Sequence, residues 1–318
     1  MKTTLLFRLG GLGDLLAAFP SIHYLRRSFP SLHLTLVCRA EYGRFLQETG
    51  VVDRVVSADE ARFSGLFEGS AGDEEMESWL SSFHLVLGWM QSERGRPLER
   101  RMRSLGIEKS RFFIYDLKEQ KPVDRFFFEK TVEFLGERQG RPFGFEECGR
   151  IPLIGILKDK LEKFAVIHPG SGSEKKCWPL ENFMNILRRV SQEGCGGVLV
   201  TGEAEERLIP EIQASVLPSG WSWLHSPPLA DLAGRLHAAA FFLGNDSGVT
   251  RLAAACGTKT VALFRKEFAF AWRPAGRVFL LSADHPSQIR TDSVWTVIRR
   301  ILIREFGKMN GRISPSSG

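Results

Sequence analysis

The stretch LLFRLGGLGDLLAAFPSI, residues 5–22, decides the fold class because it runs from a strand through a glycine-rich turn into a helix. The apolar strand pattern ends at Arg8, the glycines Gly10, Gly11 and Gly13 follow, and apolar residues then recur at helical spacing. From here to the end of the chain, short apolar runs alternate with helical patterns. Such alternation is typical of α/β proteins built on parallel sheets.

Two halves of this kind are predicted, joined by a linker that contains glycine and proline at residues 138–155. The predicted strands are residues 4–9, 33–39, 53–58, 84–90 and 111–116 in the first half, and 164–170, 196–202, 221–226, 240–245, 259–264 and 277–283 in the second. A boundary near residue 155 gives an N-terminal domain, 1–155, and a C-terminal domain, 156–318. The last helix, about residues 287–306, has an apolar stripe that favours core packing over membrane binding, and it is a candidate to pack back on the N-terminal domain.

The composition is that of an ordinary globular protein, with 43% hydrophobic and 25% charged residues in a chain of 318. No apolar run reaches the ~20 residues of a membrane-spanning helix, and the N-terminus lacks a signal-peptide core, so we expect a cytoplasmic protein. The five cysteines lack metal-ligand spacing, and we expect reduced thiols and no metal site. The net charge of +6 favours an anionic partner. Because no nucleic-acid-binding signature appears, nucleic acid ranks behind a phosphorylated substrate and an anionic membrane.

The glycine-rich turn departs from the dinucleotide-binding pattern G-x-G-x-x-G, because Leu16 stands where the last glycine belongs. This departure counts against an NAD-dependent oxidoreductase. The turn instead carries Asp14 at the start of a helix, where free amides and the helix dipole stabilise a carboxylate. Two interpretations stay open from this stretch alone: Asp14 caps the helix, or it is a base at the sheet edge where α/β proteins bind ligands.

Three stretches of the second half place polar side chains directly after predicted strands. VIHPGSGSEKKCWPLENF, residues 166–183, has the glycines, hydroxyls and lysines of a phosphate cradle, with a plain polar turn as the alternative. FFLGNDSGVTRL, residues 241–252, ends a strand at Asn245 and Asp246 and begins a helix whose amides favour an anion. VLVTGEAEERL, residues 198–208, offers Glu205 and Glu206 as ribose contacts or as exposed helix acids.

The charged residues are dispersed except in two stretches. SERGRPLERRMRSLGIEKSR, residues 92–111, is either a solvated basic face or a contact surface for a phosphorylated acceptor. Its candidate contacts are Arg94, Arg96, Arg100, Arg101 and Arg103. The acidic stretch EGSAGDEEMES, residues 68–78, has no apolar periodicity and is expected to be a surface loop.

Together, these stretches resemble the heptosyltransferase family, glycosyltransferase family 9, over nearly the whole chain. The resemblance implies a GT-B fold, with two Rossmann-like domains facing across a cleft and the nucleotide sugar held mainly by the C-terminal domain. It also implies inverting transfer of a heptose from a donor such as ADP-heptose, without a metal or other cofactor. The implied acceptor is a phosphorylated glycolipid of the lipopolysaccharide inner core, at the cytoplasmic face of the inner membrane.

The family's functional residues fall on matching positions of this chain. Its catalytic aspartate falls on Asp14, and its phosphate-binding lysine, which precedes x-Trp-Pro, falls on Lys176. Its ribose-contacting glutamate matches Glu205 better than Glu206. The implied donor-side residues are Ser171, Gly172, Glu205, Asp246, Ser247, Gly248, Val249 and Arg251, and the acceptor-side residues are Gly10, Gly11, Gly13, Arg94, Arg96 and Arg101.

Three positions depart from the family pattern. Arg251 stands where many members have a histidine, and we expect it to replace one diphosphate-binding cation with another. RKEFAFAWRP, residues 265–274, replaces the usual Gly-Pro-Thr-Asp-Pro in a loop expected near the donor sugar, which leaves the sugar open. Gly10 stands where serine or alanine is common, and this change is expected to be minor. The alternatives are a related glycosyltransferase with another nucleotide sugar or glycan acceptor, and a catalytically silent nucleotide-binding protein.

Overall fold

The computed structural model describes residues 2–60, 63, 74–91, 93, 95–136, 143–153 and 163–307. The chain divides into two compact units. The first unit comprises Met1–Ile156 with Ala254–Gly257 and Phe268–Gly276, and the second comprises Leu157–Ala253, Thr258–Glu267 and Arg277–Gly318. The sequence predicts a single boundary near residue 155, whereas two short segments of the C-terminal half also cluster with the first unit.

The described part of the first unit contains a parallel sheet of five strands. These are β1 (Thr3–Phe7), β2 (His33–Cys38), β3 (Arg54–Ser57), β4 (Leu85–Met90) and β5 (Ser110–Ile114). They pair in the order β3-β2-β1-β4-β5. Leu5 on the central strand lies opposite Thr35 on β2 and Val86 on β4. Leu5, Leu6 and Phe7 of this central strand are all fully buried, so both faces of the strand are covered, which explains their unbroken apolar run.

Helices connect these strands. They are α1 (Leu12–Ser28), α2 (Ala40–Glu48), α3 (Glu74–Ser81), α4 (Gly95–Ser104), α5 (Val123–Leu135) and α6 (Phe145–Cys148). The loop prediction for residues 68–78 is wrong from Glu74 onward, because Met76 and Leu80 of α3 pack into the core. Residues 68–73 lie outside the described part of the chain.

The segment Phe268–Gly276 is attached to the start of α5 by backbone hydrogen bonds. The Val123 N–H donates to the Ala271 carbonyl at 2.9 Å, and the Ala275 N–H donates to Asp124 Oδ2 at 3.1 Å. Asp124 is only 3% exposed. These contacts explain why a segment so late in the sequence belongs to the first unit.

The described part of the second unit contains a parallel sheet of six strands. These are β6 (Phe164–His168), β7 (Gly196–Thr201), β8 (Trp221–His225), β9 (Phe241–Asn245), β10 (Thr260–Arg265) and β11 (Val278–Ala283). They pair in the order β11-β10-β9-β6-β7-β8. All the strands predicted from the sequence are confirmed in both units, with ends displaced by at most two residues.

The helices of the second half are α7 (Leu180–Gln192), α8 (Ile209–Ala214), α9 (Leu229–Ala238), α10 (Gly248–Ala255), α11 (Lys266–Ala269) and α12 (Thr291–Phe306). A 3-10 segment over Glu203–Leu208 precedes α8 and is separate from it. Pro210 explains the break, because proline lacks the N–H that would continue the earlier turn and is tolerated at a helix start. The apolar stripe of α12 is part of the second unit's own core: Val294, Ile298, Ile301 and Leu302.

Within the described residues, no helix combines the length and apolar character that crossing a bilayer requires.

Candidate functional site

In the first unit, the turn after β1 meets the turn after β4, because these strands are neighbours in the sheet. Asp14 accepts hydrogen bonds on both carboxylate oxygens. Oδ2 accepts from the Gly11 N–H at 2.8 Å, and Oδ1 accepts from Arg8 Nη2 at 3.1 Å and from Gln91 Nε2. Since a carboxylate has about four acceptor positions, these three donors leave room for a further one. The Asp14 side chain is 28% exposed and therefore accessible to a ligand.

Asp14 occupies the third position of α1, and Gly11 is the N-cap residue. The Asp14 carboxylate therefore contributes to capping, because it accepts a hydrogen bond from the N–H of the N-cap residue Gly11. Asp14 does not occupy the cap position itself. The two interpretations left open by the sequence are compatible, because one carboxylate can hold the helix start and still present a lone pair to a ligand.

Arg8 holds the Asp14 turn in place and was not singled out by the sequence analysis. The guanidinium is 3% exposed and donates to the backbone oxygens of Asp14 at 2.6 Å and Trp89 at 2.9 Å, as well as to the Asp14 carboxylate. The sequence contains a signal for this role, because Arg8 is a charged residue at the carboxyl end of an apolar strand. Gln91 was also missed, because the sequence does not reveal that β4 neighbours β1.

Gly10 and Gly11 serve Asp14 directly. Gly10 has a φ of +108°, which side chains rarely adopt, and a Cβ there would overlap the Asp14 carboxyl group. Substitution of Gly10 by the serine or alanine of other family members is therefore not the minor change expected from the sequence. Gly13 lies in the first turn of α1.

A cationic cavity of about 750 Å³ lies beside α4 in the first unit. Its lining contains five cationic side chains and two carboxylates, together with aromatic rings of β5 and α5: Arg96, Glu99, Arg100, Arg103, Arg111, Phe112, Phe113, Ile114, Phe126, Lys130, Glu133 and Phe134. Glu99 is bonded to Arg103 at 2.7 Å and accepts from the Phe112 N–H at 2.9 Å, which covers part of the edge strand.

The predicted acceptor-side arginines separate in the structure. Arg96 lines this cavity, as do Arg100 and Arg103. Arg101 does not line it and is paired with Glu77 of α3 instead. Arg94 lies outside the described residues. Helical periodicity explains the division, because successive residues of a helix point in different directions.

In the second unit, the turns after β9, β6 and β7 lie next to each other, since these strands are consecutive in the sheet. Ser171, after β6, donates from Oγ to the Asp246 carbonyl at 2.7 Å. Lys176 Nζ donates to Asp246 Oδ2 at 2.8 Å, with the lysine side chain 34% exposed and the aspartate 10% exposed. The positive charge of Lys176 thus compensates the Asp246 carboxylate, which would otherwise repel a phosphate.

Asn245 joins the turns after β6 and β9. Its Oδ1 accepts from the Trp178 N–H at 3.0 Å, and its Nδ2 donates to the Pro169 carbonyl at 2.7 Å. Trp178 is 1% exposed and donates from Nε1 to the Ile289 carbonyl at 2.9 Å. Trp178, two residues after Lys176, is therefore a structural anchor that fixes the position of the lysine backbone.

The start of α10 follows the Asp246 turn. Ser247 precedes the helix, and its Oγ accepts from the Thr250 N–H at 3.3 Å. Gly248 and Val249 form the first helical positions, and Gly172 is exposed with open space around its Cα. Arg251 of α10 is 5% exposed and is therefore a buried cation.

Glu205, after β7, is 4% exposed, which excludes the exposed-acid interpretation for this residue but not for Glu206, which is exposed. Glu205 Oε2 accepts a hydrogen bond from the Gly202 N–H at 2.7 Å and lies 3.4 Å from His168 Nε2. Burial alone would raise the pKa of Glu205, but the hydrogen bonds from His168 and Gly202 and the His168 and His225 charges lower it below its ordinary value. Gly170 is required beside it, because a Cβ there would overlap the Glu205 carboxyl group.

We expect Glu205→Gln to destabilise the second unit at pH 7 by about 1 kcal/mol, because a neutral amide replaces charge-assisted hydrogen bonds. The folded-state pKa is lowered, so this contribution is present above the ordinary pKa of about 4.5 and is lost as pH falls through the folded value. Thermal melts from pH 7 to pH 3 should show the difference from the native chain shrinking. The exposed neighbour provides the control variant, Glu206→Gln; equal melting of both variants at pH 7 would contradict the assignment.

Two comparisons with known protein sequences bear on the family of this chain. The family model described as glycosyltransferase family 9 (heptosyltransferase) matches residues 124–286, which is half of the chain. Among curated protein sequences, none matches significantly.

Three solved structures show the fold. A glycosyl transferase family 9 protein from Veillonella parvula has a TM-score of 0.72 and 16% identity, covering 95% of this chain and 97% of that one. E. coli heptosyltransferase WaaC with ADP has a TM-score of 0.70 and 15% identity, covering 94% and 99%. E. coli ADP-heptose LPS heptosyltransferase II has a TM-score of 0.71 and 14% identity, covering 96% and 99%.

The chain therefore has the GT-B fold of nucleotide-sugar-dependent glycosyltransferases, as the resemblance implied. It belongs to glycosyltransferase family 9, the heptosyltransferases.

Proposed function

We propose that this chain is an inverting glycosyltransferase that transfers a heptose from ADP-heptose to a phosphorylated acceptor of the lipopolysaccharide inner core. The observation that carries the proposal is the convergence of Ser171, Lys176, Asp246 and Glu205 on three neighbouring strand ends of the second unit. ADP bound to the similar E. coli WaaC supports the nucleotide.

The proposed donor site holds the diphosphate and the ribose. The exposed end of Lys176 and the amides that begin α10 bind the diphosphate, where negative charge grows as the sugar leaves. Ser171, whose one hydroxyl proton is donated to the Asp246 carbonyl, holds that turn in place. The buried carboxylate of Glu205 accepts from ribose hydroxyls. No metal or other cofactor is required in this scheme, since the cation and amides carry the charge stabilisation.

The proposed transfer is a single displacement. The acceptor oxygen attacks the anomeric carbon while the bond from that carbon to the diphosphate breaks, through an oxocarbenium-like transition state. Asp14 accepts the proton of the attacking hydroxyl, and the electron pair of the broken bond goes to the nucleoside diphosphate. Arg8 and Gly11 fix the carboxylate for this task by hydrogen bonds.

A donor screen tests the proposal as a whole. Release of nucleoside diphosphate is measured from ADP-heptose and from other ADP-, UDP- and GDP-sugars, with and without inner-core glycolipid. Acceptor-dependent release from ADP-heptose alone is the expected result. Turnover of another nucleotide sugar would favour the alternative of a related glycosyltransferase with a different donor. That alternative is suggested by the replaced loop at residues 265–274. Nucleotide binding without release from any donor would identify a catalytically silent protein.

We further propose that the cationic cavity binds phosphate groups of an acceptor presented at the cytoplasmic face of the inner membrane. Arg100 is exposed, and no ion pair involves it among the residues that the structure describes. We expect Arg100→Glu to raise the acceptor KM about fivefold at low salt, with the effect reduced at high salt. The matched control is Arg101→Glu on the same helix, outside the cavity. Equal KM values for the two variants would contradict the assignment.

A further inference from the structure

A second cavity of the first unit, of about 480 Å³, adjoins the Asp14 turn. It is lined by Gln91, Glu93, Ile114, Tyr115, Asp116, Leu117, Phe268 and Trp272. Gln91 connects this cavity to Asp14 by its hydrogen bond to Oδ1. Its volume lies within the range of ordinary small-molecule sites, which is about 300–1,000 Å³.

Phe268 and Trp272 come from the stretch RKEFAFAWRP that replaces the usual loop of the family. The resemblance to the family implies a place near the donor sugar for this loop. The structure instead places Phe268–Gly276 in the first unit, held to α5 by the Ala271 and Ala275 backbone. Two aromatic residues of this loop, Phe268 and Trp272, therefore line the cavity that contains Gln91.

We infer that this cavity binds an uncharged sugar ring of the acceptor, and that Trp272 and Phe268 determine which acceptor is used. Aromatic side chains provide apolar surface for the face of a ring. The carboxylates of Glu93 and Asp116 can accept hydrogen bonds from sugar hydroxyls. Glu93 is paired with Arg96, so the repulsion of a phosphate or carboxylate at the same place comes mainly from Asp116. This inference rests on the proposed function and assigns the replaced loop to acceptor choice.

The cavity and the cationic cavity share one lining residue, Ile114 of β5. One acceptor can therefore place an uncharged ring beside Gln91 while its phosphate groups reach the arginines of α4. A hydroxyl of that ring reaches Asp14 by taking the position of the Gln91 amide at Oδ1 or by using the remaining lone pair.

Ligand-observed saturation-transfer NMR tests the inference without requiring turnover. The probes are methyl glucoside, methyl mannoside and methyl galactoside, each with its 6-phosphate. We expect the native chain to transfer saturation to at least one neutral glycoside, and the 6-phosphates, which the cationic cavity can bind separately, should not displace that glycoside. Transfer should fall about tenfold in Trp272→Ala and persist in Trp272→Phe, which keeps an aromatic face. In the double variant Glu93→Gln and Asp116→Asn, we expect the phosphates to displace the neutral glycoside.

The control variant is Phe270→Ala, because Phe270 belongs to the same loop, is 59% exposed and does not line the cavity. Its glycoside binding should equal that of the native chain. Equal transfer in Trp272→Ala, displacement of the glycoside by the phosphates in the native chain, or no transfer to any neutral glycoside would each overturn the inference.

Steady-state kinetics separate this inference from the proposed function. With a working donor, Trp272→Ala should raise the acceptor KM about tenfold and leave the donor KM at its native value. A raised donor KM with an unchanged acceptor KM would return the loop to the donor side and overturn the inference. If no nucleotide sugar is turned over but glycoside binding still depends on Trp272, the proposed function fails and the sugar site stands.

Discussion

Asp14→Asn should reduce the kcat of sugar transfer about a thousandfold, which is within the range for removing a general base. The amide has the shape of the carboxylate but cannot take the proton of the attacking hydroxyl. Donor affinity should stay near the native value, because the donor is assigned to the second unit. Measuring kcat with saturating donor and acceptor, together with nucleotide binding, checks both parts of this prediction.

The same substitution also removes the counter-ion of Arg8, whose guanidinium is 3% exposed. We expect a loss of about 1–2 kcal/mol in the free energy of unfolding, reduced from the cost of breaking a fully buried pair because the Asp14 side chain is 28% exposed. Kinetics should therefore be measured well below the melting temperature of the variant, so that the folded fraction is complete.

Asp53 offers a matched control in the same unit. It pairs with Arg26 at 2.5 Å, accepts from the Leu34 N–H at 2.7 Å and has a side chain that is 33% exposed. Asp53→Asn should therefore cost similar stability without loss of kcat. If Asp14→Asn keeps more than a tenth of the native kcat while folded, or if both variants lose activity equally, Asp14 is a structural residue and not the base.

Lys176→Ala should lower kcat/KM for the donor about a hundredfold, or ~3 kcal/mol, which is typical for removal of one preorganised stabilising group. Two effects combine. The departing diphosphate loses a cation, and Asp246, which is 10% exposed, keeps a carboxylate without its 2.8 Å partner. Competition with ADP and initial rates at varied donor concentration measure the two effects.

A double variant separates these effects. We expect addition of Asp246→Asn to Lys176→Ala to recover about tenfold at most, because the phosphate still lacks its cation. Full recovery would show that Lys176 serves only to neutralise Asp246. Lys175→Ala is the matched control, since Lys175 is exposed and adjacent in sequence, and its kinetics should be native.

The strands could be predicted from the sequence because each is an apolar run bounded by glycine, proline or polar residues. Residues that follow such runs, including Asp14, Ser171 and Asp246, could be singled out for the same reason. Sheet order could not be predicted, since it depends on contacts between distant strands, and so the meeting of Gln91 with Asp14 was missed.

The environment of individual side chains also could not be predicted from the sequence. Glu205 and Glu206 are adjacent acids, yet only Glu205 is buried, because it lies against Gly170 of another strand end. Arg96 and Arg101 belong to one basic stretch, yet Glu77 of a different helix takes Arg101 away from the cavity. No local pattern distinguishes the two glutamates, whereas helical spacing separates the two arginines once the bounds of α4 are known.

The segment Phe268–Gly276 limits how the protein can be dissected into separate halves. A fragment ending near residue 155 would retain all the described strands of the first sheet but would lack this segment. The Val123 N–H would then lose its acceptor, and the buried Asp124 would lose the Ala275 N–H. The N-terminal domain is consequently complete only when residues from far along the chain are supplied, so its folding during synthesis cannot finish until the C-terminal half has largely been made.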